Sequence, residues 1–254
     1  MEKELFDYIF KNSNNKKEKE KDNIINKYKN HDNDLIKGLI YHFYLKDYIK
    51  AKELYELAIE KDKNNSYAYN NLALLYHYGN GIEQYYIKAK ELYELAIKKD
   101  ENNSYAYCNL GLLYKNGDGV EKDYIKAKEL YELGIEKDEN NSYAYCNLGY
   151  LYHYGYGVIQ DYKKAIELYE LAIEKDENNS CAYNNLNSFP QKYIIKYEIY
   201  KQNKEIIKEI KNLSKTIEEY NEQISYLPYM KNEQELTKSF NSNKELNDLD
   251  CKKI

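Results

Sequence analysis

The chain has 254 residues, of which 32% are charged, and its formal net charge is −5. A weakly acidic total argues against nucleic acid as a partner, because the phosphate backbone requires a basic footprint. The 33 Tyr, with no Trp and no Arg, must supply nearly all the large aromatic packing, and Lys supplies the positive charge.

The amino-terminal residues 1–30 are predicted to form a short helix and a polar linker. The start, MEKELFDYIFKNSNN, lacks the basic residues and the run of about 7 to 15 apolar residues of a secretory signal. Residues 12–22 are Lys, Glu and Asn without helical periodicity, which indicates a solvated linker. No segment reaches the ~20 apolar residues of a membrane span, so we expect a cytoplasmic protein that does not bind membranes.

A repeat array is predicted for residues 31–187. Runs similar to ELYELAIEKD recur every 38 residues, around Leu54, Leu92, Leu130 and Leu168. One short amphipathic helix pair cannot bury its own apolar face, so neighbouring copies must stack and share a core. Such an array presents long open surfaces, so we expect it to act by binding other molecules.

Each unit is predicted to contain two helices. In the unit that begins at Asn65, apolar and small residues at helical spacing predict a first helix over Tyr67–Tyr78, and Gly79 and Gly81 end it. A second helix is predicted over Tyr85–Lys99. The Asn-Asn-Ser that precedes each first helix is typical of a turn, with the Ser expected to cap the helix. Small residues at equivalent places, such as Gly111 and Gly149, indicate close helix packing.

The signature Asn-Leu-Gly-x-x-Tyr followed by Ala-x-x-x-Tyr-x-x-Ala resembles the tetratricopeptide repeat, as in Asn147–Tyr152 and Ala165–Ala172. The longer loop, Tyr-x-x-Gly-x-Gly-Val-x-x-Asp-Tyr-x-Lys-Ala at Tyr114–Ala127, is similar to that of the Sel1-like repeat, a subfamily of the same superfamily. This resemblance covers about residues 34–187. It implies an all-α, right-handed superhelix of antiparallel helix pairs whose first helices line the concave side. It also implies an adaptor that assembles other proteins.

An asparagine precedes the signature Leu in each full unit, which makes a row of amides along the predicted groove: Asn71, Asn109, Asn147 and, in a fading fifth unit, Asn185. An amide both donates and accepts, so this ladder is a candidate site for the backbone of an extended peptide. The alternative is that each Asn satisfies a local carbonyl or reflects the Asn-rich composition. A clamp for a terminal carboxylate is not expected, because no Lys or Arg is evident beside these Asn residues.

A second set of residues falls at one aligned position near the end of the first helix: His42, His77, Lys115 and His153. A His there could sense pH or bind an anion, but a variable, solvated position is the preferred interpretation.

No feature indicates catalysis or a cofactor. The sequence contains no Ser/His/Asp order, no Gly-rich phosphate loop and no His-Glu-x-x-His. Of the four Cys, Cys108 and Cys146 are equivalent, whereas Cys181 and Cys251 match neither, so we expect free, packed thiols and no metal site. We therefore expect a protein that is not an enzyme and needs no cofactor.

The pattern changes in residues 188–227. Pro190 interrupts the fifth unit, and Gln191–Leu227 is predicted to be one helix with apolar residues in a heptad pattern: Ile206, Ile210, Leu213, Ile217, Tyr220, Ile224 and Leu227. Two interpretations are open: this helix caps the last repeat, or it pairs with another chain such as a second copy. The second option suggests an alternative function, in which the helix oligomerises the protein and the repeats act as a spacer. Residues 228–254 are expected to be a flexible tail.

Overall fold

The computed structural model describes residues 18–225, and the side chains of residues 21–220. In this part of the chain the regular structure is helical throughout, with no strand. The chain divides into two units, 1–194 and 195–254. The predicted tail 228–254 and the predicted first helix within residues 1–17 lie outside the described residues.

The first unit opens with helices where a linker was predicted. Helix α1 spans Glu18–Tyr28, and its Ile24 is buried in the core. Helix α2 spans Asp34–Leu39 and continues as a π-helix over Ile40–Leu45, and α3 spans Tyr48–Lys61. The sequence did not indicate α1 because its outer face is nearly all Lys, Glu and Asn, whereas the apolar face is short.

The next six helices form three pairs that agree with the predicted bounds to within one residue. The first helices of these pairs are α4 (Ser66–Tyr78), α6 (Ser104–Asn116) and α8 (Ser142–Tyr154), and the second helices are α5 (Tyr86–Lys99), α7 (Tyr124–Lys137) and α9 (Tyr162–Lys175). A shorter helix, α10 (Ser180–Asn187), begins the fifth unit and packs on α9.

The first helices are capped by Asn rather than by the expected Ser. Asn65 accepts a hydrogen bond from the backbone N of Ala68 over 3.0 Å, and Asn103, Asn141 and Asn179 do the same in later units. The Ser that follows is the first helical residue. At the other end, Gly79 has a φ of 66° and its N–H bonds the carbonyl of Leu75, which closes α4 in the left-handed conformation that Gly tolerates.

The seam between the two helices of a pair is filled by one Tyr of the second helix. These side chains are fully buried: Tyr55, Tyr93, Tyr131 and Tyr169. At Gly111 a Cβ would lie 2.7 Å from Cε1 of Tyr131, and at Gly149 it would lie 2.9 Å from Cε1 of Tyr169. The small residues are therefore packing positions, because a side chain there would displace the ring.

The last residues of the first unit cover the end of the array. Phe189 is buried and stacks on His153 with ring centroids 4.1 Å apart. Tyr193 packs against Tyr162 at 4.5 Å. These contacts bury aromatic surface that the incomplete fifth unit would otherwise leave open to water.

Helix α11 spans Gln191–Ser225, of which residues 195–225 belong to the second unit. The heptad side chains that the structure describes are all more than half exposed: Ile206, Ile210, Leu213, Ile217 and Tyr220. The side chains of Ile224 and Leu227 lie outside the described part.

Candidate functional site

Successive first helices lie side by side, and α6 contacts both α4 and α8. A cavity of about 350 Å³ opens along this row. Its apolar lining includes Phe43, Leu74 and Leu112, and its polar lining includes Asn70, Asn109 and Asn147. We refer to this cavity and the first-helix residues around it as the groove.

The structure places two of the four predicted Asn residues in the groove. Asn109 and Asn147 line the cavity and are half-buried. Asn71 is fully buried, and Asn185 is half-buried on α10, away from the cavity lining. The predicted row thus follows the first helices, but its members differ in access to a ligand.

The amide nitrogens of this row bond within the protein. Asn71 donates to the carbonyl of Tyr67 over 2.8 Å, Asn147 to that of Tyr143 over 2.9 Å, and Asn185 to that of Cys181 over 2.8 Å. The alternative interpretation from the sequence, satisfaction of a local carbonyl, therefore describes these three donors.

Asn109 instead donates its Nδ2 to Oδ1 of Asn70 in the preceding unit, over 2.9 Å. Cys108 and Cys146 take the place of Asn70 in the next two units. Nδ2 of Asn147 lies 3.9 Å from Sγ of Cys108, and Nδ2 of Asn185 lies 3.8 Å from Sγ of Cys146. Asn109, Asn147 and Asn185 thus tie their units to the preceding ones. Because these nitrogens are used, the amide oxygen of Asn109 is the atom of the row best placed to meet a ligand, and that of Asn147 can meet one beside the Lys115 ammonium group.

Aromatic residues form the second part of the lining. Tyr78, at the end of α4, is 52% exposed, and Tyr105 and Tyr143 also border the cavity. Burial raises the pKa of the Tyr143 phenol to about 12, with Asp176 and other groups adding to the effect. This hydroxyl group stays protonated at neutral pH and can donate a hydrogen bond. The sequence predicts a packing role for the Tyr residues, because periodicity alone does not separate a core ring from one at a groove.

Two cations lie near this surface, although no cation was expected beside the Asn row. Lys46 lines the cavity at the end of the π-helix, where its φ is 58°. Lys115, on α6, places Nζ 3.5 Å from Oδ1 of Asn147 and 4.8 Å from the centroid of the Tyr150 ring. Burial lowers the pKa of Lys115. The expectation that no cation lies next to these amides was therefore wrong. The stacking of successive first helices brings Lys115 of one unit against Asn147 of the next.

The aligned His residues are buried, so the expected solvated position was also wrong. Nδ1 of His42 lies 3.2 Å from the hydroxyl of Tyr55, and Nδ1 of His77 lies 3.3 Å from that of Tyr93. His77 also places Nε2 3.3 Å from Oδ2 of Asp118, which belongs to the next unit. His42 and His77 thus bond buried Tyr hydroxyl groups, whereas Nδ1 of His153 and the hydroxyl of Tyr169 have no hydrogen-bond partner among the described residues. Where Lys115 replaces His, the hydroxyl of Tyr131 has no hydrogen-bond partner in the described part of the chain.

The cysteines differ from the expectation of free thiols. Cys146 on α8 and Cys181 on α10 form a disulfide, with their Cα atoms 6.6 Å apart. The bond links two successive first helices. The sequence did not indicate this pairing, because the two residues do not occupy equivalent positions in their units. Disulfides persist mainly in oxidising compartments, so this bond does not support the expected cytoplasmic location. Cys108 is free and buried, and its burial raises the pKa of its thiol to about 12.

Among the described residues, no group of three or more His, Cys, Asp or Glu is arranged to hold a metal ion. In the same part of the chain, no helix combines the length and the apolar character needed to cross a bilayer.

Comparison with known families gave two matching models. The model described as Sel1 repeat matches residues 37–63, 104–139 and 142–177, and the one described as tetratricopeptide repeat matches residues 54–89. No curated protein matched the sequence.

Among solved structures, a Sel1 repeat protein from Oxalobacter formigenes is 30% identical, with a TM-score of 0.50 and coverage of 61% of each chain. This chain thus covers about three fifths of that protein. Also similar is c5321, a protective antigen present in uropathogenic Escherichia coli strains displaying an SLR fold. It is 24% identical, with coverage of 59% of this chain and 38% of that chain and a TM-score of 0.38. MamA is 23% identical, with coverage of 63% of this chain and 86% of that chain and a TM-score of 0.42. The predicted all-α, right-handed solenoid of helix pairs is confirmed.

Proposed function

Since this chain is a Sel1-like repeat protein of the tetratricopeptide type, we propose that it is a non-catalytic adaptor that holds an extended peptide or protein segment in its groove. Sel1 and tetratricopeptide repeats generally mediate interactions between proteins. The observation that carries the proposal is the cavity of about 350 Å³, which combines an apolar floor with amide oxygens, Tyr rings and a Lys.

The groove has the chemistry that an extended peptide requires. The amide oxygens of Asn109 and Asn147 accept hydrogen bonds from the N–H groups of a peptide backbone. Leu74 and Leu112 receive an apolar side chain, and the half-exposed ring of Tyr78 covers it. The volume lies at the lower end of the range for small-molecule pockets and accommodates one or two large side chains. Asn71 supports the row from within the core.

The net charge of −5 supports a protein partner rather than a nucleic acid. The cavity lining carries the opposite charge, that of Lys46. Lys115 lies beside Asn147, and its charge is offset in part by the carboxylate of Asp118. The groove therefore best fits a peptide in which an acidic residue neighbours the apolar side chain that enters the cavity.

Affinity capture from the native cell extract tests this function. The intact chain is compared with two groove variants, Tyr78→Ala and the pair Asn109→Ala/Asn147→Ala. The matched control is the pair Asn102→Ala/Asn140→Ala, which removes two exposed turn amides of the same units. Circular dichroism first establishes equal helicity and equal unfolding midpoints for all variants.

We expect partners that the parent and the turn variant retain and that both groove variants lose. Partners that survive in all four samples would overturn the groove as the binding surface. A direct check is selection of displayed random peptides on the parent: binders should share an apolar residue with an acidic neighbour, and Tyr78→Ala should weaken them by at least about tenfold, as expected for loss of an aromatic contact in an interface.

A further inference from the structure

Helix α11 carries an apolar stripe that the described residues leave open to solvent. Its seven members are between 52% and 63% exposed: Ile199, Ile206, Ile207, Ile210, Leu213, Ile217 and Tyr220. Isolated exposed apolar residues are normal on a protein surface, but a contiguous stripe marks an interaction site. None of these residues lines the cavity.

The spacing of the stripe assigns each residue to a heptad position. Ile210 and Ile217 occupy position a, and Ile199, Ile206, Leu213 and Tyr220 occupy position d. Ile207 occupies position e and widens the same face. The stripe therefore has the geometry of a coiled-coil seam rather than that of a helix packed broadly on a globular core.

The charges of this segment lie away from the seam. Between residues 199 and 220 the a and d positions hold no charge, and the flanking e and g positions hold only Glu209. The remaining Lys and Glu occupy positions b, c and f, where they pair along their own helix, as Lys208 does with Glu205 at 3.4 Å and Lys215 with Glu219 at 3.8 Å. In a parallel pair, position g of one helix faces position e of the next heptad in the other, so Glu209 would face the neutral Ser214 of a second copy. Two identical helices thus meet without repulsion between like charges.

Asn203 falls at position a, between Ile199 and Ile206. A single Asn at this position fixes register and favours two parallel strands, because two such amides bond each other only when they face across the seam. Without Asn203, Ile at the d positions would favour a coiled coil of three or four helices, and Asn203 at position a disfavours these assemblies. We infer that two copies of this chain pair in parallel and in register along residues 199–220 of α11.

The size of the stripe is sufficient for such a pair. Seven large apolar side chains from each copy would bury on the order of 1,000 Å² in total, close to the lower limit of specific interfaces. The dimer does not depend on what the groove binds, so it holds even if the proposed function fails. Where the groove does bind peptide, the dimer presents two grooves on one particle, which strengthens binding to a partner that carries two segments.

Light scattering on the full chain measures the molar mass over a range of concentrations. We expect twice the mass of one chain for the parent and for the control Lys208→Ala/Lys215→Ala, which changes only f positions. Ile210→Lys/Ile217→Lys should yield the mass of a single chain, with repeat helicity unchanged by circular dichroism. A parent that remains monomeric at the highest concentration, or that forms a trimer, would overturn the inference.

A cysteine placed in the seam tests the orientation. In a Cys251→Ser background that keeps Asn203, Ile210→Cys should form a disulfide between two copies under mild oxidation, because positions a face each other in a parallel, in-register pair. Lys208→Cys, at position f, should not. Equal cross-linking of the two variants, or none in either, would contradict the parallel seam. Asn203→Ile should raise the measured mass above that of a dimer, since it removes the amide that limits the strand number.

Discussion

Asn103 donates its Nδ2 to Oγ of Ser66 over 3.2 Å, and both side chains are buried between two units of the array. The same Asn accepts a hydrogen bond from the backbone N of Ala106, so it caps its own helix and also bonds the preceding one. Asn141 repeats the arrangement with Ser104, again over 3.2 Å. In these two units the Asn-Asn-Ser is therefore a joint between repeats, whereas Nδ2 of Asn179 in the fifth unit has no hydrogen-bond partner in the described part of the chain.

Replacing Asn103 with Ala should lower the free energy of unfolding by about 2 to 3 kcal/mol, because the variant loses a helix cap and leaves the hydroxyl of Ser66 unbonded. The measurement is urea unfolding followed by circular dichroism. The matched control is Asn102→Ala in the same turn, where the side chain is exposed, and its effect should stay within about 0.5 kcal/mol. Equal losses in the two variants would show that the buried joint adds no stability beyond that of the turn.

Gly134→Ala should stabilise the protein by about 0.5 to 1 kcal/mol, because Gly weakens the interior of a helix. A Cβ at this position of α7 would meet its nearest neighbours at 3.4 and 3.5 Å, which is ordinary contact. Ala58, Ala96 and Ala172 fill the equivalent positions. Differential scanning calorimetry should therefore show a higher Tm.

Gly111→Ala is the opposing control, since its Cβ would lie 2.7 Å from the Tyr131 ring. We expect a loss of about 1 to 3 kcal/mol from overpacking. If both Gly variants moved the Tm in the same direction, packing against Tyr131 would not be the reason for Gly at position 111.

The helix pairs could be predicted from the sequence because the same pattern occurs several times. Where the bounds of a helix are ambiguous in one unit, the equivalent residues of the other units define them. The groove could be predicted only in part. Asn109 and Asn147 were found by their repeat spacing, but Asn70 was missed because its equivalents are Cys108 and Cys146. The pairing of Cys146 with Cys181 was missed for a related reason: a contact between successive units depends on how the helices stack, which the pattern within one unit does not contain.

Reduction of the disulfide between Cys146 and Cys181 should lower the free energy of unfolding by about 3 to 4 kcal/mol, because the bond restricts a loop in the unfolded chain. The two residues are 35 apart in sequence. Thermal unfolding with and without dithiothreitol measures the effect. Cys181→Ser is a mild change at an exposed position, so this variant should unfold at the midpoint of the reduced parent in both conditions. A parent whose midpoint does not respond to the reductant would contradict a stabilising role for the bond.

Acid should destabilise the array through its buried His residues. Burial, with the nearby Lys46 adding to the effect, lowers the pKa of His42 to about 3, and burial also lowers the pKa values of His77 and His153. In the unfolded chain a His titrates near 6.5. Below about pH 6.5 the unfolded state therefore binds protons that the folded state does not, and for His42 this continues down to about pH 3. The contribution of these residues is complete above pH 6.5 and is lost as the pH falls.

Replacing His42 with Gln isolates one of these contributions. The Gln amide can still hydrogen-bond the hydroxyl of Tyr55, which lies 3.2 Å from the His ring, but it does not titrate. We expect the parent to lose about 3 kcal/mol more than the variant between pH 6.5 and pH 4, at about 1.4 kcal/mol per pKa unit. Urea unfolding at several pH values gives both curves. Curves that run parallel would mean that His42 takes up its proton equally in the folded and unfolded states, and that its burial does not make the array sensitive to acid.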